Sequence, residues 1–301
     1  MIPVTAKHTI GPLGVWCATE GMPAEAAADF AQRVEGLGYS TMWLPEVVGR
    51  DPFAHIAFLA TQTASLRFAT GIANIHHRLP GVMLQAANTL AEQTAGRFIL
   101  GMGVSHHTVV EGLRGLTYDK PLTTMRHYLD AMDASPYIGP RPAAAPPRLL
   151  AALGPKMLAL AAERADGAHP YWTTPEHTAT ARQILGPDKL LCVEQKVVLS
   201  SDPDEARATA AGALGIYAGL PNYRNMWHRL GFTDADIDDR DTRFIDAVVA
   251  WGDADAIARR VRDHLDAGAD HVCMQALTPG NPFAPDERAL RELAPASART
   301  S

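Results

Sequence analysis

The chain has 301 residues, 47% hydrophobic and 20% charged, an ordinary globular composition that is long enough to bury a large core without staples. A formal net charge of −6 and a pI near 6.0 argue against a nucleic-acid surface, which shows a basic stripe, and no run of like charges marks a tail. Cys17, Cys192 and Cys273 form no C-x-x-C pair and read as reduced thiols of a cytoplasmic protein, and neither an apolar stretch of about 18 residues nor a signal-peptide core is found.

In chain order, apolar runs place strands at 10–16, 41–44, 66–72, 97–102, 148–152, 167–170, 191–199 and 271–276. Helical stretches lie between them at 24–37, 52–63, 80–94, 156–165, 174–184, 202–218 and 253–267. Four joints repeat one pattern: Leu37-Gly38-Tyr39, Ala95-Gly96-Arg97, Asp166-Gly167-Ala168 and Ala267-Gly268-Ala269. Each sets glycine just after a helical pattern, where a left-handed cap is needed, and a strand begins at once. Several strands are continuous apolar runs, as a parallel sheet covered by helices requires. Alternating strands and helices imply right-handed crossovers, and eight such units fit a closed (β/α)8 TIM barrel better than an open sheet.

One domain over 1–301 is the expected organisation. Two regions break its rhythm. After strand four, 117–147 carries a helix-like piece at 123–134 and a Pro/Ala-rich linker at 136–147; after strand seven, 219–251 is rich in Asn, Asp and Arg. Each reads either as a loop shaping a substrate pocket or as a plain surface excursion. The tail after Pro295 is expected to be disordered.

A barrel of this type keeps its active site at the C-terminal ends of its strands. That rule selects Trp43-Leu44-Pro45-Glu46, the run Gly71 to His76, the run Gly101 to His107, the run Ala151 to Lys156, and His169-Pro170-Tyr171-Trp172. The fourth-strand segment holds Gly101-x-Gly103, but His106 replaces the third glycine of a dinucleotide fingerprint and no acidic residue follows in the right setting, so a Rossmann reading fails. It is either a tight turn or a place where a ring or phosphate approaches the backbone. Gly154-Pro155 opens a helix whose free amides suit an anion, with Lys156 as an added point charge, or it is a simple cap. His76-His77 and His106-His107 are adjacent pairs whose members point apart on a strand end, and no H-x-H, H-E-x-x-H or cysteine cluster exists, so no catalytic metal is expected. A histidine acting as general acid, base or hydrogen-bond donor to a cofactor ring suits the pattern better, and a G-x-S-x-G elbow is absent.

The stretches GVW (14–16), GYSTMWLPE (38–46), LRFATGIANI (66–75), TAGRFILGMGVSH (94–106), LAALGPKMLALAAERADGAHPYW (150–172) and WGDADAIARRVRDHLDAGADHVCMQAL (251–277) follow one another in order over nearly the whole chain. Together they resemble the luciferase-like monooxygenase superfamily, most closely its coenzyme F420-dependent oxidoreductases of actinobacterial type. The resemblance implies the same barrel, whose third strand ends in a bulge with a non-prolyl cis peptide behind the cofactor ring, here at or near Gly71-Ile72, with Asn74 close by. Gly103, Val104, Ser105 and His106 match the cofactor loop, and Leu153, Gly154, Pro155 and Lys156 match the phosphate turn. Glu46 stands where relatives often carry a ring-facing His or Asp, and His106 where some carry a catalytic Glu. Trp43, Tyr171 and Trp172 either wall the ring or substrate or simply pack.

The activity so implied is hydride transfer between a deazaflavin and a small organic substrate, with the cofactor carrying the difficult chemistry. His106 is the first choice for the accompanying proton and Glu46 the second. Alternatives are a reduced-FMN monooxygenase, a non-catalytic flavin-binding protein and a metal-dependent barrel hydrolase. Relatives are often dimers through helices of the early units, so a homodimer is the assembly the resemblance suggests.

Overall fold

The structure, a computed structural model, describes residues 10–295; the tail expected to be disordered lies outside the described residues. The strands are β1 (Leu13–Trp16), β2 (Thr41–Leu44), β3 (Arg67–Thr70), β4 (Ala73–Asn74), β5 (Phe98–Gly103), β6 (Arg148–Leu150), β7 (Gly167–Ala168), β8 (Leu190–Leu199), β9 (Val249–Gly252), β10 (His271–Thr278) and β11 (Asn281–Pro285). Parallel pairing runs β10-β1-β2-β3-β5-β6-β7-β8, and β8 pairs back onto β10 through His271↔Cys192 to Ala276↔Val197, closing the eight-stranded barrel. All eight predicted strands are therefore present. The later strands hold the additions: β9 pairs with β8 outside the barrel, and β11 folds back antiparallel on β10.

The helices are α1 (Ala24–Gly36), α2 (Pro52–Thr61), α3 (Pro80–Gln93), α4 (Pro121–Asp133), α5 (Pro155–Arg164), α6 (Pro175–Leu185), α7 (Pro203–Leu214), α8 (Pro221–Arg229), α9 (Asp234–Asp238), α10 (Thr242–Val248), α11 (Ala254–Asp266) and α12 (Glu287–Glu292). Seven of them open on proline, whose fixed φ suits the first helical position and whose missing N–H costs nothing there. At the four joints, Gly38, Gly96 and Gly268 take positive φ as expected. Gly167 does not. It is required instead by close approach, since a Cβ there would lie 2.0 Å from the Leu190 carbonyl oxygen.

Apolar side chains between strands and helices form the main core, and a second set fills the barrel itself. Inside the barrel Trp43 donates through Nε1 to His271 Nε2 at 3.0 Å, and His271 Nδ1 lies 2.7 Å from the Gly11 carbonyl. The His169 ring stacks on Trp43 at 4.3 Å. The Trp43 indole N–H and both His271 nitrogens are tolerable in a dry interior because these bonds satisfy groups that burial would otherwise strand.

The ladder between β3 and β5 breaks at the peptide Gly71-Ile72, which is cis. Phe68 and Ala69 pair with Phe98 and Ile99 below the break, whereas Ala73 and Asn74 pair with Met102 and Gly103 above it. At the break the Thr70 hydroxyl substitutes for the ladder, accepting from Gly101 N at 3.0 Å and donating to Gly101 O at 2.7 Å. Gly101 cannot carry a side chain here, because a Cβ would sit 2.0 Å from the Thr70 carbonyl oxygen. This pair sets the bulge at the mouth of the barrel.

The region 219–251, read as an irregular insertion, is mostly helical. It folds as α8, α9 and α10 over a separate apolar core that includes Trp172, Trp227, Phe232 and Phe244. Trp227 is fully buried, packs its ring 4.9 Å from Phe244, and donates through Nε1 to the Trp172 carbonyl at 3.1 Å.

Candidate active site

A cavity of about 630 Å³ opens at the C-terminal ends of the barrel strands. The barrel contributes Trp16, Glu46, Gly71, Ile72, Val104, Ser105, His106, His169, Tyr171 and the turn Leu153 to Lys156. The insertion and the segment before it supply the opposite wall with Ile216, Tyr217, Asn222, Tyr223, Asn225 and Arg229. Ten of the thirteen residues given catalytic or cofactor roles from sequence, and Tyr171 besides, thus meet around one space. Trp43, Asn74, Gly103 and Trp172 do not line it. Trp43 is fully buried one layer below, between His169 and His271. Asn74 is 1% exposed and turns its amide to His77 at 3.1 Å. Gly103 stands behind Ile72, where a Cβ would lie 2.7 Å from Ile72 Cδ1.

Glu46 follows β2 but is not a free acid. Its carboxylate accepts from Arg78 through both guanidinium nitrogens, from the backbone N of Asn74 at 2.7 Å, and lies 3.2 Å from His77 Nδ1. With every lone-pair direction engaged, it ties the end of β2 to the segment after the bulge, a positioning role.

His106 leaves β5 after Ser105, a non-glycine residue at φ 58 that turns the chain. The Ser105 carbonyl accepts from the Tyr118 hydroxyl at 3.2 Å, which braces the turn. Burial pushes the His106 imidazole below its ordinary range, opposed by a hydrogen bond with Asn222. Its Nδ1 has no protein partner and its ring lies 5.6 Å from Tyr223. His107 points away, exposed and paired with Glu111 at 2.9 Å.

At the other end, Gly154 caps α5 and Pro155 takes its first position. The Leu153 carbonyl is occupied by His177 Nε2 at 2.9 Å, with Arg229 Nη2 at 3.4 Å. Lys156 and Arg229 therefore flank the helix start from opposite walls. The free amides there, the helix dipole and two cations suit this end of the cavity to an anion.

Sequence reasoning missed Tyr217, Tyr223, Arg229 and the buried pair Glu194–Lys196. The pair lies at 3.0 Å, with Lys196 Nζ 3.6 Å and 3.8 Å from the ring centres of Tyr171 and Trp172. Burial lowers Lys196 to about 8 and raises Glu194, and their attraction opposes both shifts. The signal was present: Glu194, Gln195 and Lys196 interrupt an otherwise apolar strand, and buried charges demand a partner. His169 stood in a selected segment without a role. Its Nδ1 meets the Cys192 carbonyl at 2.9 Å, its Nε2 has no protein partner, and burial lowers it to about 4.

The site thus joins a closed eight-stranded parallel barrel, broken after its third strand, to a cavity at the strand ends that reaches a helix start flanked by Lys156 and Arg229. Residues 9–271 match the family model of the luciferase-like monooxygenases, and the chain belongs to that family. It is 28% identical over 269 residues to a Mycobacterium tuberculosis protein provisionally named a coenzyme F420-dependent oxidoreductase, covering 73% of this chain and 77% of that one. An F420-dependent secondary alcohol dehydrogenase solved with an F420-acetone adduct superposes with a TM-score of 0.74 at 15% identity, covering 96% of this chain and 99% of the other. The FMN-bound oxygenating constituent of a diketocamphane monooxygenase from Pseudomonas putida superposes at 0.65 and 16% identity, covering 96% and 98%. At these identities the two solved structures speak for the fold alone. Among the described residues no helix is long and apolar enough to cross a membrane.

Proposed function

We propose that this protein is an F420-dependent oxidoreductase that moves a hydride between a deazaflavin and a small organic substrate. The observation that carries the reading is the two-ended cavity: an apolar floor at Gly71-Ile72 lies in one space with the anion-binding start of α5. Gly71, Ile72, Val104 and Ser105 would face the ring, and Leu153 to Lys156 with Arg229 would hold the phosphate. Bound there, the deazaflavin supplies the hydride chemistry. The chain's own contribution is to orient the ring against the bulge, exclude water with the aromatic wall, and move a proton at His106. His106, which lines the cavity beside Asn222 and is held below its ordinary range by burial, would accept or return that proton as a neutral imidazole. Glu46, held by Arg78, keeps the bulge in register and carries no proton in this scheme. The named F420 relative supports the deazaflavin, whereas the FMN-bound neighbour motivates a second reading, a reduced-FMN monooxygenase. A cytoplasmic location accords with three buried free thiols.

Parallel fluorescence titrations of the protein with oxidised F420 and with FMN test this directly. Saturable binding of F420 with weak FMN binding is expected. Preferred FMN binding, with oxygen consumption on supplying the reduced flavin, would replace the deazaflavin by the monooxygenase reading. Binding of neither would remove both.

A further inference from the structure

Where the barrel mouth meets the insertion, the cavity is lined by a row of rings. Trp16, Tyr171, Tyr217, Tyr223 and His106 form a continuous row, with ring centres 5.3, 5.6, 5.2 and 5.6 Å apart in that order. Tyr217 and Tyr223 pack edge to face at 87°, and both line the cavity, so the row presents aromatic surface to whatever enters it. The row is braced from behind: Tyr223 packs on Trp227 at 5.6 Å, and Lys196 lies over Tyr171. No free carboxylate or ammonium belongs to it. The one ion pair behind it, Glu194 with Lys196, is self-neutralised, and the cations of the cavity stand at the helix start. A charged group pressed against this wall would be desolvated without a partner, at a cost that excludes it.

The hydroxyls along the row differ. Tyr171 donates to Gln275 Oε1 at 2.9 Å and also bonds the Tyr217 hydroxyl. The Tyr223 hydroxyl has no hydrogen-bond partner among the described residues and is not closed off from the cavity that Tyr223 lines. Burial, with Tyr217 and Glu194 near it, raises the Tyr223 phenol well above its ordinary range, so it keeps its proton and can donate it to an oxygen that enters the cavity.

We propose that this row is the substrate slot, that it takes a flat, uncharged molecule bearing a carbonyl oxygen, and that the Tyr223 hydroxyl donates to that oxygen. The proposal rests on the reading of the opposite wall as a cofactor site and names the substrate class for it. It makes Tyr223 a specificity-determining residue that the insertion brings to the barrel.

The test uses the full chain, with and without oxidised F420, and three probes in ligand-observed NMR: acetophenone, ethylbenzene and cyclohexyl methyl ketone. Tyr223→Phe keeps the ring and its packing on Trp227; Tyr217→Leu removes a stacking face and serves as a second variant. Acetophenone is expected to bind wild type about fivefold more tightly than Tyr223→Phe, the worth of one neutral hydrogen bond. Ethylbenzene should bind both alike. Cyclohexyl methyl ketone should bind wild type several-fold more weakly than acetophenone, and Tyr217→Leu should erase that preference. The proposal is overturned if acetophenone fails to bind, if Tyr223→Phe binds it unchanged, or if the saturated ketone binds equally well. Hydroxyl-dependent ketone binding in a protein that takes neither F420 nor FMN would keep the slot and remove the cofactor reading. Cofactor binding with ketone affinity indifferent to Tyr223→Phe would do the reverse.

Discussion

The barrel wall of the cavity and the insertion wall face each other across one space, yet the chain holds them in place by different means. The barrel wall is fixed by hydrogen bonds: parallel backbone ladders on both sides, the Thr70 hydroxyl bonded to the Gly101 backbone at the bulge, and Glu46 clamped by Arg78. The insertion wall is fixed by side chains, above all the aromatic contacts of Trp227 with Tyr223 and Phe244. A wall set by ladders tolerates little adjustment and suits a ring held in one pose. A wall set by packing on short helices can be re-cut by single substitutions and suits the choice of substrate.

The largest expected effect separates the two. Trp227→Ala should cost about 3–5 kcal/mol, since it deletes a fully buried indole, its ring partners and its bond to the Trp172 carbonyl. Hydrogen exchange should rise across 219–248 while β1 to β6 stay protected. Uniform loss of protection would mean that the walls fold as one unit and would break the comparison.

Acid should strike the other side. Burial lowers His169 and His271, inside the barrel, to about 4, and His264, bonded to Gln195 behind it, to about 3. Each is depressed below the unfolded value near 6.5, so the unfolded chain binds the proton first. The stability these histidines contribute is complete above about pH 6.5 and declines as pH falls toward 4. Between pH 7.5 and 5.5 the loss is about 1.4 kcal/mol for each, or roughly 4 kcal/mol together. Denaturant midpoints across that range check this, and a flat profile would mean that these rings are protonated in the fold.

His106 lies where the walls touch, through Asn222 and Tyr223 of the insertion. His106→Ala is expected to lower turnover about 10²-fold with little change in cofactor affinity. Equal turnover in variant and wild type would remove it from the chemistry and leave it as a spacer between the walls.

The same division explains what the sequence made legible. Ladders leave period and punctuation in a chain: apolar runs, prolines opening helices, glycines closing them, and so all eight barrel strands and the turn at Gly154-Pro155 that opens α5 could be read. The cis peptide at Gly71-Ile72 was anticipated only through family resemblance, because neither residue advertises it. The insertion was opaque because α8 to α10 are each shorter than ten residues, too short for a clear amphipathic period. Its signals were local: Pro221 at a helix start, and Thr233 with Asp236 as a capping box. For Trp43 the choice between wall and packing stayed open, because strand-end position does not say whether a side chain points up into the mouth or down into the barrel, where it lies.

The smallest expected effect tests where the two walls join. Lys156 comes from the barrel turn and Arg229 from the insertion, whose guanidinium lies 3.4 Å from the position a Gly154 Cβ would take. Both are partly open to solvent, so each alone contributes modestly. Lys156→Ala and Arg229→Ala should each weaken F420 binding about threefold and flatten its salt dependence. If the two cations contact separate oxygens of one phosphate, the double variant should lose about tenfold, the product of the single effects. A double variant no worse than Arg229→Ala would mean that the arginine closes over the anion and the lysine only follows. The insertion would then hold the cofactor as well as the substrate, and the division between the walls would move to the far side of the turn.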